Sequence, residues 1–187
     1  MAQIVVLGAG LTGLAAALLL ARDGHQVTVL ERDPAEPVGD AEDLWEGWQR
    51  PGVSQFLLPH VMLPRWRRVM EQELPDVLAE VERLGGQRVS PIELLPSGFT
   101  GGPQAGDDDL RFVLARRPVV EGAFAAVASL SHDVVVRRGV RAASLIRVPA
   151  AIEGVPHVAG VLTSGREVIR PTSSSTRWAD VHRWRTC

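Results

Sequence analysis

Residues 3–31, "QIVVLGAGLTGLAAALLLARDGHQVTVLE", constrain this chain more than any other stretch. "QIVVL" is a short β-branched run with the pattern of a strand buried on both faces. "GAGLTG" follows, then "LAAALLLARDG", rich in Ala and Leu, helical in propensity and ending at Gly24 as a C-cap. "HQVTVLER" is the next strand, with Val27, Val29 and Glu31 on one alternation. Strand, turn, helix, turn and strand within about thirty residues make a βαβ unit. The chain is therefore expected to be α/β with parallel strand pairing.

The glycines of that turn have separate physical roles. Gly8, Gly10 and Gly13 form G-x-G-x-x-G after a strand and at the opening of a helix, the context that gives the motif meaning. Gly8 permits the tight turn. Gly10 lacks a Cβ, so a pyrophosphate can approach the backbone, and Gly13 lets helix and strands pack closely. The helix start at Leu11, Thr12 and Gly13 then offers N–H groups and a partial positive charge to phosphates. Glu31, at the end of the second strand, is placed to accept hydrogen bonds from ribose hydroxyls. This chemistry points to a dinucleotide and leaves NAD and FAD both open. The charge of Glu31 argues against NADP. Arg32 could accept a 2′-phosphate, or simply be exposed.

Composition narrows the class. The chain has 187 residues, 45% apolar and 22% charged, with a net charge of −2. That suits a globular protein with a sizeable core and gives no reason to expect nucleic acid or an anionic membrane as partner. Its single cysteine, Cys187, excludes a disulfide framework and a cysteine metal site, and fits a cytoplasmic setting. The longest N-terminal apolar run, Leu14 to Ala21, is far short of the roughly 20 residues that span a bilayer. Beyond the βαβ unit, residues 33–59 read as loop, and 61–84 as two helical pieces broken at Pro75 and ended by Gly85-Gly86. "LRFVLA" reads as a strand, "RPVVEGAFAAVASL" as a helix with Pro118 in its first turn, and residues 133–170 as successive strands turning at Ser164-Gly165.

Three stretches resemble the FAD-dependent monooxygenases and related oxidoreductases of the aromatic-hydroxylase type. The first is "IVVLGAGLTGLAAALLLARDGHQVTVLERD". The second is "WQRPGVSQFLLPH", where Arg50 with Gly52 and Val53 matches a family loop whose Arg contacts the FAD pyrophosphate. The third is "LARRPVVEGAF", where Arg117, with Arg116 as runner-up, matches an Arg that reaches the flavin or its phosphates. "DVVVRRGVRAASL" resembles the segment whose backbone flanks the adenine, near Val140. The resemblance also puts Gln55 and His60 in a loop near the flavin. It implies a Rossmann-like FAD-binding domain, a βαβ dinucleotide fold with a β-meander, over residues 1–170. It implies FAD as cofactor, NAD(P)H as electron donor, and a small-molecule substrate bound elsewhere. No residue is assigned as a catalytic acid or base. A flavin-dependent reductase or dehydrogenase of the same fold, a small NAD-binding domain, and a non-catalytic remnant are the alternatives. "GDDDL" at 106–110 and "RWRR" at 65–68 are expected to be solvated, the latter as a helix face, and the histidines show no metal-ligand spacing.

The C-terminal "PTSSSTRWADVHRWRTC" does not fit this pattern. Family members continue here with a buried strand and a Gly turn of the form "ADLVVDATG". Written in G/C-rich codons with one guanine added in front, the tail reads Ala-Asp-Leu-Val-Val-Asp-Ala-Val-Gly. Residues 171–187 are thus expected to be a disordered, wrong-frame version of that strand, with the domain truncated before its last sheet strand and its hold on FAD weak. "TSSSTRW" cannot serve as a strand buried on both faces.

Overall fold

The computed structural model describes residues 1–102, 104–149, 155 and 157–171. The expectation for the tail lies, from residue 172 on, outside the described residues. In chain order the elements are β1 (Gln3–Leu7), α1 (Leu11–Arg22), β2 (Gln26–Glu31), α2 (Ala41–Glu46), β3 (Pro59–Met62), α3 (Pro64–Glu73), α4 (Pro75–Arg83), β4 (Gln87–Val89), α5 (Ser97–Thr100), a 3-10 turn (Asp107–Leu110), β5 (Phe112–Arg116), α6 (Arg117–Leu130), β6 (Val134–Arg138), β7 (Ala142–Val148), β8 (His157–Thr163) and β9 (Val168–Ile169). They fall into two compact units. The first joins Met1–Pro34 to the chain from Ser131 onward, and the second is Ala35–Leu130.

In the first unit, β1, β2 and β6 form a parallel sheet with β2 in the centre. Val27 stands opposite Ile4 on one side and Val134 on the other. Val27, Val29 and Leu30 are all buried, as a central parallel strand requires on both faces. α1 lays Leu14, Ala17 and Leu18 against this sheet. Its end is a Schellman motif: Gly24 takes φ +81°, its N–H donates to Ala21 O, and the His25 N–H donates to Leu20 O. A second, antiparallel sheet in the order β7-β8-β9 follows, with the expected turn after Thr163. Arg137 on β6 donates twice to the Glu167 carboxylate, at 2.9 and 2.7 Å, which ties that turn to the parallel sheet.

The second unit is built on α6, which buries residues along nearly its whole length, from Pro118 to Ala128. α2, α4 and β5 pack on it. β5 is the centre of an antiparallel sheet in the order β3-β5-β4. Pro64 and Pro75 each occupy the first turn of a helix, so the break at Pro75 stands as expected. α4 also ends in a Schellman pattern, with Gly85 at φ +94° and the Gly86 N–H on Val81 O.

Three local expectations are corrected. Residues 33–59 are not all loop: Asp40 caps α2 by accepting from the N–H groups of Glu42 and Asp43, while Asp43 accepts from the Asp40 N–H. The third residue of this capping box is Asp rather than Glu or Gln, so the usual signature is missing. Val61 and Met62 are strand, not helix, because β3 pairs with β5 more than fifty residues away. "RWRR" is also not uniformly solvated. Arg67 is buried and donates to Glu71 at 2.8 and 2.9 Å and to the carbonyls of Asp108 and Arg111, both at 3.0 Å.

Gly13, in the first turn of α1, and Gly24, just past its end, predict different costs. A Cβ on Gly24 would meet nothing within 4 Å, so Gly24→Ala strains only the backbone and should cost about 1 kcal/mol. A Cβ on Gly13 would lie 1.9 Å from Gly8 O, and Gly13→Ala should cost about 3 kcal/mol through overpacking. Urea unfolding of the two variants checks the order.

Candidate functional site

The first unit gathers most of the residues singled out from the sequence. Gly8 adopts φ +97°, which an L side chain rarely tolerates, and its N–H donates to Leu30 O at 2.8 Å. The chain turns there from β1 toward α1. Gly10 is the N-cap of α1, in an extended conformation, and no side chain caps the helix. The first-turn N–H groups of Leu11, Thr12 and Gly13 therefore face outward from a helix start without a competing side-chain acceptor. Gly13 sits hard against Gly8 O.

Glu31 closes this turn from β2. It is 3% exposed, and its Oε2 accepts from the Ala9 N–H at 2.7 Å while Oε1 accepts from the Asp33 N–H at 3.0 Å. A residue from the middle of the glycine motif is thus pinned by the carboxylate that ends the next strand. Each carboxylate oxygen has two lone pairs, so one N–H on each does not exhaust it. The backbone of Glu31 also accepts from the Val140 N–H at 2.9 Å, which places Val140 beside the end of β2. Arg32 is exposed and lies 3.8 Å from Asp33.

The second unit holds the other residues. Arg50 is 7% exposed. Its Nη1 donates to Oε2 of Glu121, and its guanidinium lies 5.7 Å from the centre of the Trp48 ring. Trp48 in turn meets Phe56 edge-on, with ring centres 4.9 Å apart. Arg117 Nε donates to Oε1 of the same Glu121 at 2.7 Å. Arg117 Nη1 lies 3.4 Å from His60 Nε2, and His60 Nδ1 lies 3.2 Å from Leu58 O. A neutral ring with its proton on Nδ1 satisfies both contacts. Arg116, the runner-up, instead pairs with the exposed Glu42 at 3.0 Å and stacks on Trp45 at 4.9 Å. Its pKa is raised, first by the hydrogen bond to Glu42. Gln55 is exposed.

Glu121 is the functional candidate that the sequence analysis missed. It is fully buried on α6 between the two arginines singled out. Its i,i+4 spacing from Arg117 was a visible signal, but such pairs are usually solvated helix faces. The acid-rich segment behaves as expected. Asp107 accepts from the Gln104 N–H, and Asp108 pairs with Arg111, whose hydrogen bond lowers the Asp108 pKa. Among the described residues no group of three or more potential metal ligands converges.

Removing one partner of a buried ion pair leaves an uncompensated charge. Arg50→Met should therefore destabilise the chain by about 3 kcal/mol. Arg116→Met, on an exposed pair, should leave the unfolding midpoint unchanged within error. Urea titration of both variants followed by circular dichroism makes the comparison.

Comparison with known proteins places this geometry. Residues 3–80 match the family model described as FAD dependent oxidoreductase. A stretch of 68 residues is 51% identical to D-amino acid dehydrogenase 2 of Ralstonia nicotianae, covering 34% of this chain and 16% of that protein. A stretch of 40 residues is 55% identical to D-amino acid dehydrogenase 2 of Mesorhizobium japonicum, covering 21% of this chain and 10% of that one. The fold is similar to the crystal structure of PqsL from Pseudomonas aeruginosa in complex with 2-aminobenzoylacetate, with a TM-score of 0.62 at 18% identity, over 90% of this chain and 40% of that chain. It is also similar to 2-methyl-3-hydroxypyridine-5-carboxylic acid oxygenase, with a TM-score of 0.59 at 17% identity, over 91% of this chain and 37% of that one. The matches thus span less than a fifth of the curated relatives and about 40% of the solved chains. Among the described residues no helix is long and apolar enough to cross a membrane. Residues 3–80 thus match the FAD dependent oxidoreductase model, and the chain is similar in fold to Rossmann-type FAD-binding flavoproteins.

Proposed function

We propose that this chain binds FAD and forms the cofactor-binding portion of a flavin-dependent oxidoreductase of the monooxygenase type. The observation that carries the reading is the first-unit turn. Gly8 is held at φ +97°, Gly10 caps α1 without a side chain, and Glu31 is buried at the end of β2 with a bond to Ala9. That arrangement fits a dinucleotide: N–H groups and a helix dipole for phosphates, and a carboxylate for ribose hydroxyls. Gly8, Gly10, Leu11, Thr12, Gly13, Glu31, Arg32 and Val140 are its proposed ligands on the first unit. Arg50 and Arg117 are the proposed phosphate-facing cations on the second, with Arg117 preferred over Arg116 for its tie to a buried carboxylate. Bound FAD supplies the two-electron redox chemistry, and the protein supplies binding, orientation and electrostatics.

The electron donor is proposed to be NAD(P)H. A second reading, a flavin-dependent dehydrogenase, is favoured by the 51% identity to D-amino acid dehydrogenase 2 over 68 residues. That stretch covers only 16% of the relative, so it supports the shared cofactor more than a shared substrate.

Titrating the full chain with FAD and following flavin fluorescence should give saturable quenching with one site. Glu31→Ala should weaken it at least tenfold by removing the ribose acceptor and releasing Ala9. Absence of saturable binding in the unaltered, folded chain would sink the reading. With flavin bound under anaerobic conditions, bleaching by NAD(P)H supports the monooxygenase type. Bleaching by a D-amino acid without NAD(P)H supports the dehydrogenase instead.

A further inference from the structure

Glu121 has no place in the cofactor chemistry above, yet it is the most deeply buried carboxylate described in the second unit. Burying a carboxylate is costly unless cations and hydrogen bonds are well placed around it. Here each oxygen has its own guanidinium. Oε1 takes the Arg117 Nε–H at 2.7 Å, and Oε2 takes the Nη1–H of Arg50. The two arginines come from opposite ends of the unit's sequence, one in the loop before β3 and one opening α6. A leucine at position 121 would fill α6 without a desolvation cost, but nothing else described on α6 could hold both guanidiniums. Arg117 is held a second time, through Nη1 to His60. The two cations differ in access: the side chain of Arg50 is 5% exposed, that of Arg117 21%.

We infer that Glu121 is a positioning residue. It touches no cofactor itself, and it locks Arg50 and Arg117 into one geometry before a phosphate arrives. The inference rests on the assignment of those arginines to the cofactor's phosphates. Its physical basis is preorganisation. A free arginine loses rotamer freedom on binding, whereas one already tethered by a buried carboxylate does not lose it again. The tether uses Nε of Arg117 and Nη1 of Arg50, and a guanidinium carries five N–H donors, so one bond to a carboxylate does not exhaust it.

The test uses the full 187-residue chain labelled with 15N. Guanidinium rotation and Nε–H exchange of Arg50 and Arg117 are measured without ligand and compared with the exposed Arg65. FAD and adenosine are then titrated into the wild type and Glu121→Gln. The inference expects slow rotation of both arginines in the ligand-free wild type, and loss of the slow Arg117 Nε–H signal in Glu121→Gln. It expects FAD binding at least tenfold weaker in the variant, with adenosine, which carries no phosphate, unchanged within twofold. Rotation in the wild type as fast as Arg65 overturns the inference, and this holds even where Glu121→Gln does not fold. Equal weakening of FAD and adenosine overturns it too, since that marks a general structural loss. Tighter FAD binding by Glu121→Gln also overturns it, because Glu121 would then compete with the phosphates for the arginines. A wild type that takes up no FAD, but whose arginines are slow and are freed in Glu121→Gln, overturns the flavin reading and supports positioning by Glu121.

Discussion

The structure of the first unit depends on one close approach, the start of α1 against the end of β1. A Cβ on Gly13 would overlap the carbonyl of Gly8, so helix and turn touch through bare backbone. That contact sets the direction of α1, and with it the burial of Leu14, Ala17 and Leu18 over the parallel sheet. It also leaves the first-turn N–H groups of α1 at the tip of the turn. Packing and binding capacity therefore share a cause: the approach that buries the helix face is the one that presents the helix dipole.

Two buried carboxylates then do similar work in the two units. Glu31 reaches across from β2 and holds Ala9, so the glycine turn is fixed from a neighbouring strand as well as from its own helix. Glu121 reaches out from α6 and holds Arg50 and Arg117. In each case a charge that is expensive to bury is satisfied by donors from a distant part of the chain. Apolar packing could supply comparable burial but not the same fixed direction. The exposed pairs, such as Arg116 with Glu42, carry no such constraint, since water can replace either partner.

The legible parts of the sequence were those governed by local rules. Gly8 and Gly13 were readable because each answers a steric demand only glycine meets, a positive φ at one and no room for a Cβ at the other. Gly24 and Gly85 were readable as helix ends because the left-handed cap has the same demand. Pro75 was readable as a break because proline tolerates only a first helical turn. What failed to show was set by partners far along the chain. β3 looked like the start of a helix until it paired with β5. Arg67 looked like one of several surface cations in "RWRR", and only the carbonyls of Asp108 and Arg111 make it a buried clasp.

By itself the sequence determined the βαβ unit and the glycine turn, with the residues proposed to hold a dinucleotide, because those depend on neighbours within about thirty residues. The resemblance to the FAD-dependent monooxygenases marked Arg50 and Arg117 as worth attention. Only the tertiary structure decided that these two arginines share one carboxylate, that Glu31 is tied to the glycine motif, and that Arg116 pairs with an exposed carboxylate while Arg117 pairs with a buried one. The reason is that the free energy of a charged side chain is fixed by its burial and its partners. Both are properties of the folded arrangement rather than of sequence spacing.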